Sequence, residues 1–545
     1  MQRRKILTLA TAGTAALAVM LTACGGSSGG GSSSSASKSG GSITVYNCKP
    51  ENALIPANTN ETCGIVAQQD VFRGLVHYSP VDSKPSMAMA ESITPSDGSK
   101  QFDIKLKPGN TFQDGSPVNS DSFINAWNWA AYAPNGAVNN TFFAGIVGYD
   151  ALNPAPPKGS TVAPTPTTKT MSGLKKVSDT EFTVTLSTPQ SFFPVAVGYG
   201  GFFPMPPSFF TDPAAFGKKP IGNGPMKIDS GDGDTGFHES VWSGYKGADK
   251  PKISSVFYKT YTTDTAAYAD MQAGNLDFMN QVPTSELVNN QYQSDFPGRN
   301  KNGPITAIQT ITLPVYDANY NDPNLGKALS MAIDRPAVIK AVFNGSRQPA
   351  TGWVAPGLVG YKAGACGQYC TFNPTAAKAA FAQAKFKGPF TLAYNADADH
   401  KAWTEAVCNS IKNTLGVACT AKPYVDFSTF RAAINAHKMT GMFRSGWSQD
   451  YPHIQDFLEP LYTTGASAND GLFSNPQFDA LIKKANGETG DQALADYQAA
   501  EALLANSMSV IPLWYYTQQS VWSTRLKNVI VDTVGNLDIT SVTVS

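Results

Sequence analysis

The residues that could carry catalytic or metal chemistry are few and scattered along the chain. The chain has 545 residues with five histidines, and none of them belongs to an HExxH segment or to a His/Cys cluster. These absences disfavour a zinc hydrolase, and no GxSxG nucleophile elbow is present either. Residues 231–236 match GxGxxG, but the segment is acidic and no helix-forming stretch follows it, so we interpret it as a loop. The sequence therefore predicts no enzyme activity, no metal site and no cofactor.

The N-terminus predicts the compartment. Residues 1–5 are basic, residues 6–23 carry no charge, and Leu21 to Cys24 closes the segment. This order is typical of a signal peptide over residues 1–23. The Leu-x-Ala-Cys ending resembles the lipobox of bacterial lipoproteins, which implies a lipid on Cys24; the alternative is an ordinary secretory cleavage site beside an incidental cysteine. Residues 25–41 are almost purely Gly and Ser, so residues 24–41 are predicted to be a lipidated cysteine and a flexible tether. We expect an extracytoplasmic protein that is lipid-anchored to the bacterial cell membrane.

The remaining cysteines predict disulfides. An exported protein meets an oxidising compartment, where cysteines pair. The six cysteines after Cys24 fall into three groups that are close in sequence, and no CxxC occurs. Several connectivities are possible, and we expect the local ones. The predicted pairs are Cys48 with Cys63, Cys366 with Cys370, and Cys408 with Cys419.

Composition narrows the class of protein. The length suits two or three domains, and 41 basic residues balance 41 acidic ones with no basic patch, so a nucleic-acid partner is not expected. No later stretch is long and apolar enough to span a bilayer. The chain has 21 Tyr, 29 Phe and 8 Trp residues, which suit large cores and a deep pocket that accepts varied apolar groups.

The second half of the chain positions a pocket. Alternating strand and helix patterns cover residues 389–394, 400–415, 417–424, 427–437 and 440–447, and this β-α-β-α-β order predicts an open α/β sheet. Ligands of such sheets bind beyond the carboxyl ends of the strands, and Trp447 lies at such an end. In the first half, Ser120 is predicted to cap a helix, and residues 135–171, rich in Pro, Gly, Thr and Asn, are predicted to be an extended surface loop.

Several ordered segments resemble the extracellular solute-binding proteins of family 5, the oligopeptide- and dipeptide-binding proteins of ABC importers. Taken singly each segment is weak, but together they run in the family's order along most of the chain. They are residues 87–92, 111–118 with Asp121, 220–225, 271–277, 327–335, 446–452, 473–479 and 512–516.

The resemblance implies an α/β, two-lobed periplasmic-binding-protein-like fold of type II, with the ligand cleft between the lobes. The N-terminal lobe is expected over residues 42–306, including an extra subdomain over about 80–215. The C-terminal lobe is expected over residues 307–515, and residues 516–545 are expected to return to the N-terminal lobe.

The same resemblance implies a ligand and the residues that hold it. Asp450 occupies the position whose carboxylate pairs with a peptide's α-ammonium, and Arg444 resembles one that meets the C-terminal carboxylate. Gly446 and Ser448 are expected to contribute backbone groups, and Trp447 to pack against the ligand or hinge. If residues 440–450 are extended, Arg444 and Asp450 point to the same face.

The leading interpretation is therefore a monomeric, membrane-anchored peptide-binding component that delivers oligopeptides to ABC permease subunits, with ATPase subunits behind them. A second interpretation keeps the fold and changes the ligand to an oligosaccharide, a metal chelate or an opine-like amine. A third is a peptide-sensing receptor without transport. A secreted hydrolase is disfavoured because the sequence offers no nucleophile with a nearby base.

Overall fold

The computed structural model describes residues 40–157, 162–386 and 388–545. The predicted signal peptide (residues 1–23), the lipidation site Cys24 and nearly all of the tether (residues 24–41) lie outside the described residues. Within the described ranges, no helix combines the length and the apolar character needed to cross a bilayer.

Nineteen strands are present in the described residues. They are β1 (Ser42–Asn47), β2 (Val76–Tyr78), β3 (Pro85–Met87), β4 (Ala90–Ser96), β5 (Gln101–Leu106), β6 (Leu174–Ser178), β7 (Glu181–Thr185), β8 (Met226–Asp232), β9 (Gly236–Val241), β10 (Ser255–Thr260), β11 (Phe278–Met279), β12 (Asn300–Thr312), β13 (Gln348–Pro349), β14 (Phe390–Asn395), β15 (Cys419–Tyr424), β16 (Met442–Ser448), β17 (Val510–Trp522), β18 (Leu526–Lys527) and β19 (Thr543–Val544).

Seventeen α-helices accompany these strands in the described ranges, together with short 3-10 turns. They are α1 (Thr62–Gln68), α2 (Ser120–Ala131), α3 (Tyr149–Leu152), α4 (Phe193–Ala196), α5 (Pro207–Thr211), α6 (Pro213–Phe216), α7 (Asp264–Ala273), α8 (Thr284–Leu287), α9 (Gln291–Asp295), α10 (Pro323–Ala332), α11 (Arg335–Phe343), α12 (Pro374–Gln383), α13 (Lys401–Leu415), α14 (Phe427–Asn435), α15 (Glu459–Tyr462), α16 (Pro476–Asn486) and α17 (Gly490–Ser507).

One eleven-stranded sheet runs through the molecule in the order β15-β14-β16-β12-β17-β11-β1-β10-β9-β8, with β13 paired to β17. Strand β14 is parallel to both β15 and β16, and helices α13 and α14 connect these three strands. The predicted β-α-β-α-β unit is therefore present. It forms one end of the sheet, and the strands from the first half of the chain form the other.

The two long strands β12 and β17 join the two ends of this sheet, and the molecule has two lobes. They pair antiparallel over most of their length, but the pairing is interrupted between Pro304 and Ile308. Within this gap, Thr306 donates its backbone N–H to the carbonyl oxygen of Thr533 (2.9 Å) and accepts from the N–H of Gln449 (3.0 Å), so its backbone groups pair outside the β12–β17 ladder. The largest apolar cluster draws on residues 54–237 with Tyr451, whereas another unites residues 261–296 with residues 311–521.

A separate four-stranded sheet, β4-β5-β7-β6, lies in the first half of the chain. Helix α2 packs on it through Phe123 and Trp127, whose rings contact that of Phe182. The N-cap of α2 is Asn119, whose Oδ1 accepts a hydrogen bond from the backbone N–H of Ser122 (3.1 Å). The prediction that Ser120 is the cap is therefore wrong by one residue, because Asn119 is the last residue with extended backbone angles.

Residues 135–171 are more ordered than the predicted extended loop. The described part contains α3 and a 3-10 turn, and Phe143, Leu152 and Met171 are buried in the core. The surface-loop prediction is wrong for these positions, because a few apolar residues tie a proline-rich segment to the core.

Three disulfides are present, and they are the three that the sequence predicts. They join Cys48 to Cys63, Cys366 to Cys370, and Cys408 to Cys419. The last pair ties helix α13 to the start of β15, the edge strand of the large sheet.

Candidate ligand-binding site

A cavity of about 300 Å³, the first chamber, lies at the carboxyl end of β16. Its wall is formed by β16 and the residues just after it, by parts of β12, β17 and α14, by residues 60–65 and by several loop residues. The structure brings all five of the predicted binding residues to this wall: Arg444, Gly446, Trp447, Ser448 and Asp450.

Strand β16 has one free edge along this cavity. Its residues 443–448 pair with β12, but β14 pairs with it only at Met442 and Phe443. No described strand therefore pairs with residues 444–448 on their second edge. Gly446 lets the two strands approach closely, since a Cβ there would lie 2.5 Å from the carbonyl oxygen of Ile308. The free edge offers backbone donors and acceptors to an extended ligand.

Asp450 lies two residues beyond the end of β16, so the expectation that residues 440–450 are continuously extended is wrong. The chain bends after Ser448, and the backbone N–H of Asp450 donates to Oδ2 of Asp456 (2.9 Å). Asp450 and Arg444 nevertheless line the same chamber. Both residues face the chamber because the chain bends after Ser448, and not because their side chains alternate along one continuous strand.

Asp450 is half-buried overall, and one oxygen of its carboxyl is fully buried without a charge partner. Its Oδ2 and the Oδ1 of Asp456 are sealed from solvent and accept no hydrogen bond from the described residues, and neither side chain forms a salt bridge there. Burial raises the pKa of both carboxyls well above the usual value, and the charge of Asp456 raises that of Asp450 further. A cation placed beside two buried carboxyls in this state would stabilise their ionised form.

Arg444 lies in the same wall and has no carboxylate within salt-bridge distance among the described residues. Its Nε donates to Oδ1 of Asn395 (2.6 Å), and its guanidinium packs over the rings of Phe427 and Phe430 at 5.3 and 5.4 Å. Burial lowers the pKa of Arg444 to about 10, so the side chain stays positively charged at neutral pH. An anionic group of a ligand would supply the missing partner.

An ion cluster that the sequence did not indicate also borders this chamber. Arg431 on α14 donates to both carboxylate oxygens of Asp470 (2.6 and 3.1 Å), and its Nε lies 3.7 Å from Glu51. Asn435 also donates to Glu51 (3.0 Å). Glu51 precedes α1 in the first half of the chain, so the cluster joins the two sides of the cavity. The members are far apart in sequence, and no local pattern marks them.

A second chamber of about 210 Å³ adjoins the first. Asn536 lines both chambers; it is 5% exposed, and its Oδ1 has no hydrogen-bond partner among the described residues. Asp450 also lines both chambers, so its carboxyl lies at their junction. The described residues contain no group of three or more His, Cys, Asp and Glu side chains arranged to hold a metal ion.

The two lobes, the crossing strands and the cleft with a free strand edge define a solute-binding protein of the two-lobed periplasmic type. The fold is similar to that of the murein tripeptide-binding protein MppA of Escherichia coli, with a TM-score of 0.83 and 21% identity over 93% of this chain and 99% of that chain. The TM-score to the unliganded open form of MppA is 0.64.

Sequence comparison gives the family. The profile of the bacterial extracellular solute-binding proteins, family 5 (middle region), matches residues 84–469. The chain is 25% identical to the oligopeptide-binding protein OppA of Bacillus subtilis over 95% of this chain and 96% of OppA. It is 26% identical to the dipeptide-binding protein DppE of the same organism over 86% of each chain. The chain belongs to family 5 of the bacterial extracellular solute-binding proteins, a family of binding proteins and not of enzymes.

Proposed function

We propose that this protein is the membrane-anchored substrate-binding component of an ABC importer and that it captures oligopeptides between its lobes for delivery to the permease. The observation that carries the proposal is the free edge of β16, with the unpaired Arg444 at one end and the unpaired carboxyl of Asp450 just beyond the other. This arrangement complements a zwitterionic, extended chain.

The ligand backbone is expected to add to β16 as a further strand. Main-chain hydrogen bonds to residues 444–448 would supply affinity that does not depend on the ligand's sequence. The α-ammonium would meet Asp450, whose Oδ2 lacks a partner, and the terminal carboxylate would meet Arg444. Trp447, which also lines the chamber, would pack against the ligand.

The lobe boundaries are part of the proposal: residues 42–306 and 516–545 form one lobe, and residues 307–515 form the other. The interruption of the β12–β17 pairing beside Pro304 supports a boundary there. The separate sheet β4-β5-β7-β6 supports an extra subdomain near residues 80–215. In this division Glu51 and Arg431 belong to different lobes, and their contact closes the cleft.

The lipid anchor at Cys24 and the permease partner are also proposed. The order of basic, apolar and Leu-x-Ala-Cys segments supports the anchor. The match to oligopeptide- and dipeptide-binding relatives over most of their length supports a role in import.

Calorimetric titration tests whether the ligand is a peptide with a free α-amino group. The mature protein, stripped of ligand by unfolding and refolding with its disulfides intact, is titrated with tri- to hexapeptides and with the same peptides N-acetylated. We expect micromolar or tighter binding that acetylation weakens at least tenfold. Acetylation removes the positive charge of the peptide's α-amino group, which is the proposed partner of Asp450. The Asp450→Asn variant should bind free and acetylated peptides with nearly equal affinity.

Each alternative gives a different result. Equal binding of free and acetylated peptides by the unaltered protein would remove Asp450 from ammonium recognition and keep the peptide ligand. No binding of either set would reject the peptide, and oligosaccharides, metal chelates and opine-like amines would be titrated next. A peptide-binding protein whose removal leaves peptide uptake by the bacterium unchanged would be a sensor.

A further inference from the structure

The second chamber contains an excess of carboxyl groups. Asp70, Asp450, Asp532 and Asp538 line it. Burial raises the pKa of Asp70 to about 7, although the charge of Arg73 partly offsets this, and burial raises the pKa of Asp532 to about 6. Asp70 also accepts a hydrogen bond from the hydroxyl of Tyr258.

The one arginine in the lining of this chamber is already neutralised. Arg73 pairs with Asp249 through Nε (3.0 Å) and Nη2 (2.9 Å), and its Nη1 donates to the carbonyl oxygens of Phe72 and Gln69. The other basic side chain in the lining is His77, and burial lowers its pKa to about 4, which leaves it neutral at neutral pH. The carboxyls therefore have no free cation in the described lining.

Two residues that line both chambers carry a buried acceptor without a hydrogen-bond partner among the described residues. The acceptors are Oδ2 of Asp450 and Oδ1 of Asn536. A buried acceptor without a donor costs free energy, and a ligand with several N–H groups relieves that cost. Two such acceptors at one junction suit an ammonium group, which has three donors.

The rest of the lining is largely apolar. An aliphatic stem can pack on such walls while its charged end reaches the carboxyls, as the side chains of lysine and arginine do on protein surfaces. The apolar lining residues include Phe72, Val76, Phe203, Leu537 and Ile539.

We propose that the second chamber receives the side chain of the ligand's first residue and selects a cationic one, lysine or arginine. The inference rests on the proposed function: if the α-ammonium lies at Asp450 and the backbone follows β16 through the first chamber, only the first side chain can enter the chamber on the far side of Asp450. No residue precedes the first, so nothing else of the peptide reaches that space.

The test compares tetrapeptides Xaa-Ala-Ala-Ala in which Xaa is lysine, norleucine or glutamate. Norleucine has nearly the shape of lysine without the charge, so the ratio of the lysine and norleucine dissociation constants isolates the cation. We expect the lysine peptide to bind at least about tenfold more tightly, a difference of about 1.4 kcal/mol, and the glutamate peptide to bind most weakly. Equal binding of the lysine and norleucine peptides would overturn the inference and leave the peptide function intact.

Two matched variants test whether the second chamber causes the preference for lysine over norleucine. Oδ1 of Asp538 accepts hydrogen bonds from the backbone N–H (3.0 Å) and hydroxyl (2.7 Å) of Thr540, and Asp538→Asn keeps such an acceptor and removes the charge. It should reduce the lysine-to-norleucine ratio at least about threefold, a difference of about 0.6 kcal/mol.

Asp232→Asn is the matched control. It changes the same type of turn, in which Oδ1 accepts from the backbone of Asp234 and Thr235, at an exposed site outside the chamber. An equal loss of selectivity in both variants would contradict the assignment to this chamber. If no free-amine peptide binds the unaltered protein, the proposed function fails, and this inference fails with it.

Discussion

Peptide binding is expected to release a proton from the Asp450–Asp456 pair. In the free protein, burial and mutual repulsion raise the pKa of Asp450 well above its usual value. An arriving ammonium favours the ionised carboxylate and lowers that pKa. A group whose pKa falls on binding gives up its proton, so affinity rises with pH between the pKa of the complex and the pKa of the free protein.

The gain in affinity with pH has an upper limit. One released proton gives at most about a tenfold gain in affinity per pH unit. The peptide's own α-ammonium loses its proton near pH 8, at about 7.7–8.0, so the gain ends there and the affinity falls again at higher pH. Removing the Asp450 charge altogether should cost about 2–5 kcal/mol, the range for truncating one partner of a buried charge pair, which is at least about a thirtyfold loss of affinity.

The assay is calorimetry of one neutral tetrapeptide at several pH values between 4.5 and 8, a range chosen as roughly that over which a buried carboxyl titrates. Each titration is repeated in two buffers that both buffer at the pH of the measurement but differ in ionisation enthalpy, so that the difference in binding enthalpy counts the released protons. Asp456→Asn should move the rising limb to lower pH, because the repulsion that raises the pKa of Asp450 is gone. Asp450→Asn should abolish the rise of peptide affinity with pH.

The reasoning is refuted if the Asp456→Asn profile overlies that of the unaltered protein, or if the proton count is zero throughout. Asp491→Asn, at an exposed position in the first turn of α17, serves as the control and should leave the profile unchanged.

Three further predictions concern other parts of the molecule. Glu501 is 1% exposed, and burial raises its pKa to about 7 from 4.5. The stability that its protonated form contributes should be lost as the pH rises from about 4.5 through 7, so Glu501→Gln should be more stable by about 3 kcal/mol at pH 8 and nearly neutral at pH 4.5. Urea unfolding checks this, and parallel pH curves for the two proteins would contradict it. Glu51→Gln weakens the contact with Arg431 and should speed peptide dissociation up to about fivefold. Stopped-flow measurement of the dissociation rate checks this. An unchanged rate would mean that the contact does not hold the cleft closed. Arg444→Gln should erase the preference for a free over an amidated peptide C-terminus, and a retained preference would assign the carboxylate to another group.

Local sequence patterns predicted the elements around the site well. Helix α11 begins at its predicted cap Asp334, and β14, α13, β15, α14 and β16 lie within about two residues of the predicted ranges wherever strands alternate or helices have caps. Periodicity and capping depend on residues that are neighbours in the chain, so the sequence predicts them.

Long-range features could not be read in this way. The contact of Glu51 with Arg431 joins residues far apart in sequence, and Asn536, near the C-terminus, lines the same second chamber as Asp450. Neither has a local signal, since the partners are brought together only when the lobes and the returning C-terminal segment assemble. The Pro- and Gly-rich composition of residues 135–171 likewise concealed Phe143 and Leu152, which are buried.

The break in the pairing of the two long strands lies against both chambers. The pairing of β12 with β17 is interrupted between Pro304 and Ile308, and Ile305 and Ala307 from that gap line the first chamber. Thr306, between them, donates its backbone N–H to Thr533 (2.9 Å) and accepts from the N–H of Gln449 (3.0 Å). Thr533 and Gln449 both line the second chamber. A ligand that fills the two chambers would therefore contact the gap itself and the two residues that hydrogen-bond to Thr306 within it, so the break in the pairing is part of the candidate site.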